Sequence, residues 1–249
     1  MKDAACVNGT IAPLRNISLF AELMNRLVNT PDHLTPLGVF YGFSGYGKTK
    51  SATYGANKHR ALYLEVGASW TLKSFCQAAL RELGVKASGT IPAMVEQIIE
   101  AMATETRPMI IDEFDHVCGW GEKSVNVVRE ILDKSGAPIV LIGEEMLPVR
   151  LKRWERFDNR VRSWVAAQPA DGSDAVHLAR LYSREVAIAS ALLADMAEQS
   201  GGVVRRICHG IETVREFASV NGLSEVSMAD WGNQPYWQSR PAARRQHVA

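Results

Sequence analysis

One segment of the chain limits the possible folds more than any other. Gly42–Thr49 reads Gly-Phe-Ser-Gly-Tyr-Gly-Lys-Thr and fits the pattern GxxxxGK(S/T) at every defined position. The apolar run Leu37–Tyr41 before it is typical of a buried strand, and Lys50–Asn57 after it is predicted to be helical. Glycines let such a loop turn its backbone N–H groups towards one anion, at a helix N-terminus whose dipole favours negative charge. The segment therefore predicts a phosphate-binding loop.

The residues of this loop have distinct expected roles. Lys48 should reach the β- and γ-phosphates of a nucleotide, and the Thr49 hydroxyl should bind Mg²⁺. The other expected nucleotide contacts are Gly42, Phe43, Ser44, Gly45, Tyr46, Gly47 and Lys50. We therefore predict ATP and magnesium as the cofactors, with a chance glycine-rich turn as the alternative.

A pair of acids follows the third apolar run of the chain. Met109–Ile111 is strand-like and leads directly into Asp112 and Glu113. Asp112 is expected to hold Mg²⁺ with its hydration shell, and Glu113 to orient and deprotonate the attacking water. Two solvated carboxylates at a strand end are the alternative. Because the pair lies downstream of a complete phosphate-binding loop, it favours an ATPase with Glu113 and Lys48 as catalytic residues.

Strand-like and helix-like segments alternate through the first part of the chain. The predicted strands are Leu37–Tyr41, Ala61–Val66, Pro108–Ile111 and Pro138–Ile142, and the predicted helices include Arg15–Val28, Leu72–Leu83, Ile91–Met102 and Lys123–Asp133. This alternation indicates an α/β fold with a parallel sheet sandwiched by helices, whose ligands bind beyond the carboxyl ends of the strands. After about Pro169 no strand is obvious, and the helix-like segments are Asp171–Leu181, Ala187–Gln199, Val203–Ser219 and Val226–Trp231.

The pattern divides the chain into four expected regions. Residues 1–36 form an N-terminal helix and linker, and residues 37–169 form an α/β nucleotide-binding core of the P-loop NTPase class. Residues 170–231 form a small all-helical lid. Residues 232–249 are polar, include Arg244 and Arg245, and are expected to be a disordered tail.

The overall composition excludes few functions. A formal charge of +1 and a pI of about 7.7 argue neither for nor against nucleic acid, so only a local basic patch could indicate it. The cysteines Cys6, Cys76, Cys118 and Cys208 lie far apart without zinc-ligand spacing, and we expect reduced thiols. No signal peptide and no apolar run long enough to cross a membrane is visible. These features favour a cytoplasmic protein.

The loop, the apolar strand ending in Asp112–Glu113 and the helical C-terminal region resemble AAA+ ATPases. The resemblance implies that an arginine from a neighbouring subunit completes the site. Arg160 is the preferred arginine finger and Arg156 the second candidate, with a solvated or DNA-facing cluster as the alternative. The resemblance also implies that Arg205, in a Gly-x-x-Arg segment of the lid, senses the γ-phosphate. Glu144 stands where the first sensor of the family is usually Asn or Thr.

Within this family the chain resembles the ATP-dependent transposition regulators that include phage Mu transposition protein B and TnsC. The similarity covers roughly residues 10–225 and is carried by segments 39–49, 112–113, 140–145 and 157–161 and by the Gly-x-x-Arg lid. It implies a target DNA activator that forms ATP-dependent rings or helical filaments on double-stranded DNA, without sequence specificity. Such a homo-oligomer recruits or stimulates a transposase and is released by hydrolysis. A bacteriophage protein in the cytoplasm of a bacterial host is implied as well.

A local basic cluster follows the fourth predicted strand. Its members are Arg150, Lys152, Arg153, Arg156, Arg160 and Arg162. Such a cluster favours binding to DNA phosphates, and we assign its first three members to DNA binding. The resemblance adds Thr71, Lys73 and Thr90, at two predicted helix starts, as further DNA-binding candidates. For each of these, plain N-capping or solvation is the alternative.

Three other functions share these motifs. A helicase loader would have the same ATPase residues, but it would capture a helicase rather than form filaments on naked duplex DNA. A small-molecule kinase would place catalytic arginines in a lid, and the acid pair and the late helical region argue against it. A binding module that hardly hydrolyses ATP is compatible with the unusual first-sensor residue Glu144.

Overall fold

A computed structural model describes residues 11–237, which divide into two compact units. The core unit comprises Asn16–Ser44 and Lys48–Ala167. The C-terminal unit begins at Gln168, and it also includes residues 11–15 and the loop tip Gly45–Gly47.

The secondary structure follows the predicted alternation of strands and helices. The core unit carries α1 (Arg15–Val28), β1 (Leu37–Tyr41), α2 (Lys48–His59), β2 (Leu62–Glu65), α3 (Leu72–Glu82), α4 (Ile91–Glu105), β3 (Met109–Asp112), α5 (Phe114–Gly119), α6 (Glu122–Ser135), β4 (Ile139–Gly143), α7 (Leu147–Leu151), α8 (Glu155–Asp158) and β5 (Val161–Ala166). The C-terminal unit carries α9 (Gly172–Tyr182), β6 (Ala187–Ile188), α10 (Ser190–Ser200), α11 (Val204–Asn221), β7 (Glu225–Val226) and α12 (Met228–Trp231).

The core sheet has five parallel strands in the order β2-β3-β4-β1-β5. Strands β3 and β4 are buried along their whole length, which explains their continuous apolar sequences. The register pairs Tyr41 with Gly143, and Glu65 with Asp112. The loop after β1, the acid pair after β3 and the turn after β4 therefore leave the same edge of the sheet, as the sequence predicted.

The fifth strand was not predicted from the sequence. It lies at the edge of the sheet beside β1, and its residues are buried or exposed in an irregular pattern. Arg162 and Trp164 are exposed, and the Trp164 ring meets the Tyr41 ring edge to face at 6.4 Å between centroids. An edge strand is covered less completely than a central one and need not be apolar, so β5 lacks the continuous apolar run of β3 and β4.

Helices α1 and α2 are in close contact near the strand that precedes the phosphate-binding loop. Phe20 of α1 packs edge to face on Phe40 of β1 with 5.3 Å between ring centroids. A Cβ at Gly55 of α2 would lie only 2.4 Å from the Phe20 ring, so a glycine is required for the two helices to approach. Helix α1 thus packs both on β1, which leads into the loop, and on α2, which follows the loop.

The C-terminal unit is mainly helical, as predicted, but it is not all-helical. Two-residue strands at Ala187–Ile188 and Glu225–Val226 pair in parallel, where the sequence had suggested helix starts. Helix α10 begins at Ser190, after the first of these strands. Residue Asp171 caps α9 with a reciprocal capping box to Asp174. The β-branched residues Ile188 and Val226 fit the extended pairing better than a helix terminus.

The start of the expected disordered tail is in fact packed. Tyr236 is 1% exposed, stacks on Trp231 at 5.4 Å between centroids, and donates a hydrogen bond of 2.7 Å to Asp195 Oδ2. The indole Nε1 of Trp237 donates to the Arg206 carbonyl at 2.7 Å. The prediction of a disordered tail from residue 232 is therefore wrong for residues 232–237, because two aromatic side chains gain burial there. Residues 238–249, with Arg244 and Arg245, lie outside the described residues.

Tyr236→Leu is expected to lower the free energy of unfolding of the protein by about 2 kcal/mol. The change removes ring stacking, about 0.5–1.5 kcal/mol, and a hydrogen bond to a carboxylate, about 1.5 kcal/mol. Urea denaturation followed by circular dichroism measures this loss. Val220→Ala, at a position 87% exposed in the same unit, is the control and should change stability by less than about 0.5 kcal/mol. Equal losses in the two variants would contradict the packing described for Tyr236.

Candidate active site

Positive backbone φ angles shape the loop between β1 and α2. Gly45 and Gly47 have φ angles of +84° and +81°, which favour glycine. A Cβ at Gly42 would lie 3.0 Å from the Ala167 Cβ and 3.2 Å from the Ala167 carbonyl oxygen, so a side chain there has little room. Helix α2 begins at Lys48, and the N-terminal N–H groups of this helix are available to an anion.

Within the C-terminal unit, the loop tip contacts the first turn of α11. The Val204 N–H donates to the Gly45 carbonyl at 2.9 Å, and Gly45 lies so close to Val203 that a Cβ would be 2.6 Å from it. Arg205, the predicted second sensor, is the next residue of this turn and is exposed. Its sensing role stays a prediction.

The ammonium of Lys48 lies inside its own loop. Its Nζ donates to the carbonyl oxygens of Gly42 at 2.7 Å and Phe43 at 3.0 Å. Burial lowers the pKa of Lys48, while nearby carboxylates act in the opposite direction. Those carboxylates are Glu113, Asp112, Glu144 and Asp115, in decreasing order of effect. The structure therefore brings the loop lysine and the acid pair together, although they are far apart in the sequence.

Asp112 is a buried carboxylate at the end of β3, 2% exposed. Its Oδ2 accepts a hydrogen bond of 2.9 Å from the Tyr63 hydroxyl, and its Oδ1 accepts one of 2.9 Å from the Glu113 N–H. Burial, followed by the charge of Asp112, raises the pKa of Tyr63 above its ordinary value, so the hydroxyl keeps its proton and donates. Both carboxylate oxygens are thus held in place.

Tyr63 is a residue of the site that the sequence analysis missed. It lies on β2, which pairs with β3 so that Tyr63 stands opposite Ile110. No motif surrounds Tyr63, and only the long-range pairing of the two strands brings its hydroxyl to Asp112. An alternation of polar and apolar residues in β2 is the only signal that the sequence contains.

Glu113 has an unusual backbone conformation. Its φ and ψ angles are 56° and 40°, in the left-handed region, and it directly precedes α5. Such a conformation costs a non-glycine residue of order 1–3 kcal/mol and is found preferentially at functional sites. The side chain is half-buried, and burial, followed by the charge of Asp112, raises its pKa. A raised pKa makes this carboxylate a better proton acceptor once it is ionised.

The remaining predicted nucleotide contacts lie in or next to the loop. Ser44, Thr49 and Lys50 are exposed, whereas the Tyr46 side chain is buried and Phe43 is half-buried. Thr49 and Lys50 occupy the first turn of α2. Tyr46 therefore packs within the protein, while its backbone remains part of the loop.

Glu144 follows β4 at the predicted position of the first sensor. Its side chain is exposed, and its backbone N–H donates to Asp115 Oδ2 at 2.7 Å. Arg150 Nη1 lies 3.1 Å from the other oxygen of the same carboxylate, Asp115 Oδ1. Arg150, which we assigned to DNA binding, is thus engaged in an intramolecular ion pair.

The two arginine finger candidates differ in their surroundings. Arg160 Nε donates to the Asp133 carboxylate at 2.7 and 2.9 Å, and Arg160 Nη1 donates to the Arg156 carbonyl at 2.6 Å. The Arg156 side chain is exposed, and within residues 11–237 it makes no ion pair or side-chain hydrogen bond. Arg156 is therefore the candidate whose guanidinium is available to another molecule.

The other predicted DNA-binding residues lie on the surface. Lys152 and Arg153 are exposed between α7 and α8. Thr71 caps α3, since its Oγ1 accepts from the Ser74 N–H at 3.3 Å, and its DNA-binding role stays a prediction. Lys73 in α3 is exposed, and the exposed Thr90 before α4 makes no side-chain capping bond.

Neither a membrane-spanning helix nor a disulfide bond is found in the part of the chain that the structure describes. Between residues 11 and 237, no helix is both long enough and apolar enough to span a membrane. In the same range Cys76, Cys118 and Cys208 are free thiols, and burial raises the pKa of each. Cys6 lies outside the described residues.

Comparison with known families and structures identifies the fold. Residues 32–151 match the family model described as an AAA domain. The chain also superposes on the ORC2 protein of Aeropyrum pernix, in its ADPNP-ADP complexes, with a TM-score of 0.67 over 88% of this chain and 67% of that one. This is a P-loop NTPase fold of the AAA+ type. The sequence identity to that protein is 14%.

Other solved structures resemble the fold to a similar extent. Cdc6p of Pyrobaculum aerophilum has a TM-score of 0.66 at 14% identity, covering 92% of this chain and 68% of that one. The ORC1 protein of Aeropyrum pernix, solved in complex with DNA, has a TM-score of 0.61 at 14% identity, covering 90% and 66%. The chain thus spans about two thirds of the length of each.

One curated relative is a transposition protein. The chain is 24% identical over 208 residues to the Mu-like prophage FluMu DNA transposition protein B of Haemophilus influenzae. The match covers 78% of this chain and 68% of the relative. The chain therefore resembles transposition protein B, in agreement with the resemblance found in its motifs.

Proposed function

We propose that this chain is a magnesium-dependent ATPase that assembles on double-stranded DNA, selects target DNA and recruits or stimulates a transposase. The observation that carries the proposal is the similarity over 208 residues to a DNA transposition protein B, in a chain that keeps the complete loop and the acid pair. The grouping of Lys48 with Asp112 and Glu113 at one sheet edge supports the hydrolytic part of the proposal.

The residues of the site fit a nucleoside triphosphate. Backbone N–H groups at the start of α2 and the Lys48 ammonium bind the phosphates, and Lys48 exchanges its contacts with the Gly42 and Phe43 carbonyls for contacts with phosphate oxygens. Glu113 accepts a proton from the attacking water. Its backbone conformation lies in the left-handed region, and its carboxylate is close enough to Lys48 to oppose the lowering of that ammonium's pKa by burial.

The residues also fit Mg²⁺. Each oxygen of Asp112 accepts one hydrogen bond, which leaves lone pairs free, and Thr49 offers a hydroxyl in the first turn of α2. Mg²⁺ prefers hard oxygen ligands and keeps several waters, so one carboxylate, one hydroxyl and the phosphates suffice. Residues 11–237 contain no group of three or more acidic, His or Cys side chains that would hold a metal unaided. When bound, the ion neutralises charge that develops on the phosphates.

Tyr63→Phe is expected to raise the Mg²⁺ concentration needed for half-maximal ATP hydrolysis by about tenfold. The change removes the hydroxyl that orients Asp112, and loss of such a supporting contact weakens metal binding by about 10–100-fold in known sites. A magnesium titration of the hydrolysis rate measures the shift. Tyr41→Phe is the matched control at the same sheet edge, since its hydroxyl makes no hydrogen bond within the described residues. Equal magnesium dependence in the two variants would exclude the role given to Tyr63.

Exposed cations near the end of the core unit support the DNA-binding part of the proposal. Lys152, Arg153 and Arg156 are exposed, whereas Arg150 and Arg160 are engaged with Asp115 and Asp133. Phosphate contacts by exposed cations bind DNA without sequence specificity and weaken steeply with salt.

We favour Arg156 over Arg160 as the arginine that reaches a second copy of the chain, because the Arg156 guanidinium makes no ion pair or hydrogen bond within the described residues, whereas Arg160 is paired with Asp133.

Electron microscopy of the protein with duplex DNA tests the proposal directly. Regular rings or filaments are expected on the DNA with ATP and Mg²⁺, and none when ATP is omitted. Hydrolysis of ATP should be faster when duplex DNA is present. ATP hydrolysis without any binding to naked duplex would instead favour the helicase-loader function, and DNA binding that ignores ATP would exclude a nucleotide-gated assembly.

A further inference from the structure

A buried carboxylate, Asp115, lies two positions after Glu113 but is not part of the reaction described above. Asp115 is in the first turn of α5 and is 8% exposed. A buried charge is costly unless it is paired and hydrogen-bonded, so the partners of this side chain are informative.

Each carboxylate oxygen of Asp115 contacts a different segment. Oδ2 accepts the Glu144 N–H at 2.7 Å, and Oδ1 lies 3.1 Å from Arg150 Nη1, in an ion pair without hydrogen-bond geometry. The Asp115 carboxylate packs directly on Gly143, where an added Cβ would lie only 2.2 Å from Oδ2. One carboxylate thus connects the turn after β4 with helix α7.

A second contact links the same short helix to α8. The Phe114 ring of α5 stacks on the Phe157 ring of α8, with 6.1 Å between centroids and an interplanar angle of 22°. Both rings are fully buried. Helix α5 is therefore fixed to α7 through Asp115 and to α8 through Phe114.

These contacts place α5 between two functional segments. At its start is Glu113, whose backbone is strained and whose carboxylate is close enough to Lys48 to affect its pKa. The next two residues, Phe114 and Asp115, contact α8 and α7, which flank the exposed cations Lys152 and Arg153. Helix α5 thus lies between Glu113 and the two helices that flank these cations.

We propose that α5 couples the nucleotide site to the basic segment 147–158, with Asp115 as the positioning residue. The proposal rests on the proposed function, because it assumes that the site binds ATP and that this segment contacts DNA. Arg150 acts through Asp115 and sets the position of the segment, instead of binding phosphate itself. Coupling of this kind requires that the two sites bias one shared element, and α5 is that element.

Hydrogen–deuterium exchange with the slowly hydrolysed analogue ATPγS and Mg²⁺ tests the coupling without DNA. In the wild type, nucleotide should slow amide exchange in the loop 42–49 and also in segment 147–158. Asp115→Asn keeps an oxygen for the Glu144 N–H but loses the charge, and it should abolish the nucleotide effect on segment 147–158 only. Arg150→Met should do the same from the other, 40% exposed side of the ion pair.

Arg153→Met is the matched control in the same segment. The Arg153 side chain is exposed and makes no ion pair within the described residues. The variant should therefore keep the full nucleotide effect on exchange while it binds DNA more weakly.

Double variants test the coupling in DNA-binding measurements. The double variant of Asp115 and Arg150 should lose no more affinity than either single variant, whereas the losses of Asp115→Asn and Arg153→Met should add. Melting temperatures and ATPγS affinities show whether a variant is merely unstable.

The outcomes separate this inference from the proposed function. Wild-type protection of 42–49 without any change in 147–158 would overturn the coupling, as would an undiminished change in Arg150→Met. Failure to bind duplex DNA would refute the proposed function yet leave the exchange difference in place. Absence of protection in the loop itself would overturn both. If Asp115→Asn does not fold, Arg150→Met alone decides the result, because it alters the exposed end of the same contact.

Discussion

Replacing Lys48 by alanine should abolish ATP binding at working nucleotide concentrations and, with it, binding to duplex DNA. The ammonium is half-buried in its loop and has two carbonyl contacts to exchange for phosphate oxygens. Hydrogen bonds to charged groups contribute about 1.5–3 kcal/mol each, so loss of two of them weakens binding by at least ~100-fold. Calorimetric titration with ATP and anisotropy of labelled duplex DNA measure the two effects.

Lys58→Ala is the control for this change. Lys58 is exposed in the last turn of the same helix. Its replacement by alanine removes the same charge as Lys48→Ala but leaves the loop unchanged. ATP affinity should stay within about twofold of the wild type, as expected for an exposed residue. DNA binding that survives Lys48→Ala, or that does not depend on ATP, would count against nucleotide-gated assembly.

Glu113→Gln is expected to slow ATP hydrolysis by about 10²–10⁴-fold while ATP binding is retained. The amide keeps the shape of the side chain but cannot accept the proton of the attacking water, and a positioned general base contributes a factor of this size. The backbone of Glu113 is fixed in the left-handed region, so the substitution should leave the local geometry unchanged. Because hydrolysis is expected to release the assembly, the variant should remain on DNA much longer than the wild type.

A competitor-DNA chase measures this residence time, and phosphate release measures the hydrolysis rate. Glu65→Gln is the matched control, since Glu65 is an exposed carboxylate that pairs in register with Asp112 at the same sheet edge. It should change hydrolysis by less than about threefold. A Glu113→Gln protein that leaves DNA as quickly as the wild type would contradict release by hydrolysis.

Much of the fold followed from local patterns in the sequence. The strands β1, β3 and β4 are continuous apolar runs because they are buried, and helix α1 has the bounds that its apolar spacing predicted. The edge strand β5 was missed because Arg162 and Ser163 interrupt its apolar sequence. The packed start of the tail was missed because its polar composition hid the burial of Tyr236.

The candidate site was predictable only where it is contiguous in the chain. The loop and the acid pair were recognised from residue types at fixed spacing. Tyr63 was not, because its role depends on the pairing of β2 with β3. For the same reason the sequence could not show that Arg150 and Arg160 are engaged by Asp115 and Asp133 while Arg156 is free.

The sequence by itself determined the two segments that form the candidate site: a glycine loop with its lysine, and a strand that ends in two acids. Each of these two segments is contiguous, so its residue types and spacing can be recognised from the chain alone. The tertiary structure decided which groups hold Asp112 in place, what Asp115 connects and which arginine is free. Those outcomes depend on hydrogen bonds and ion pairs between segments that are distant in the chain. Only the parallel sheet and its helices bring the paired atoms within about 3 Å of each other.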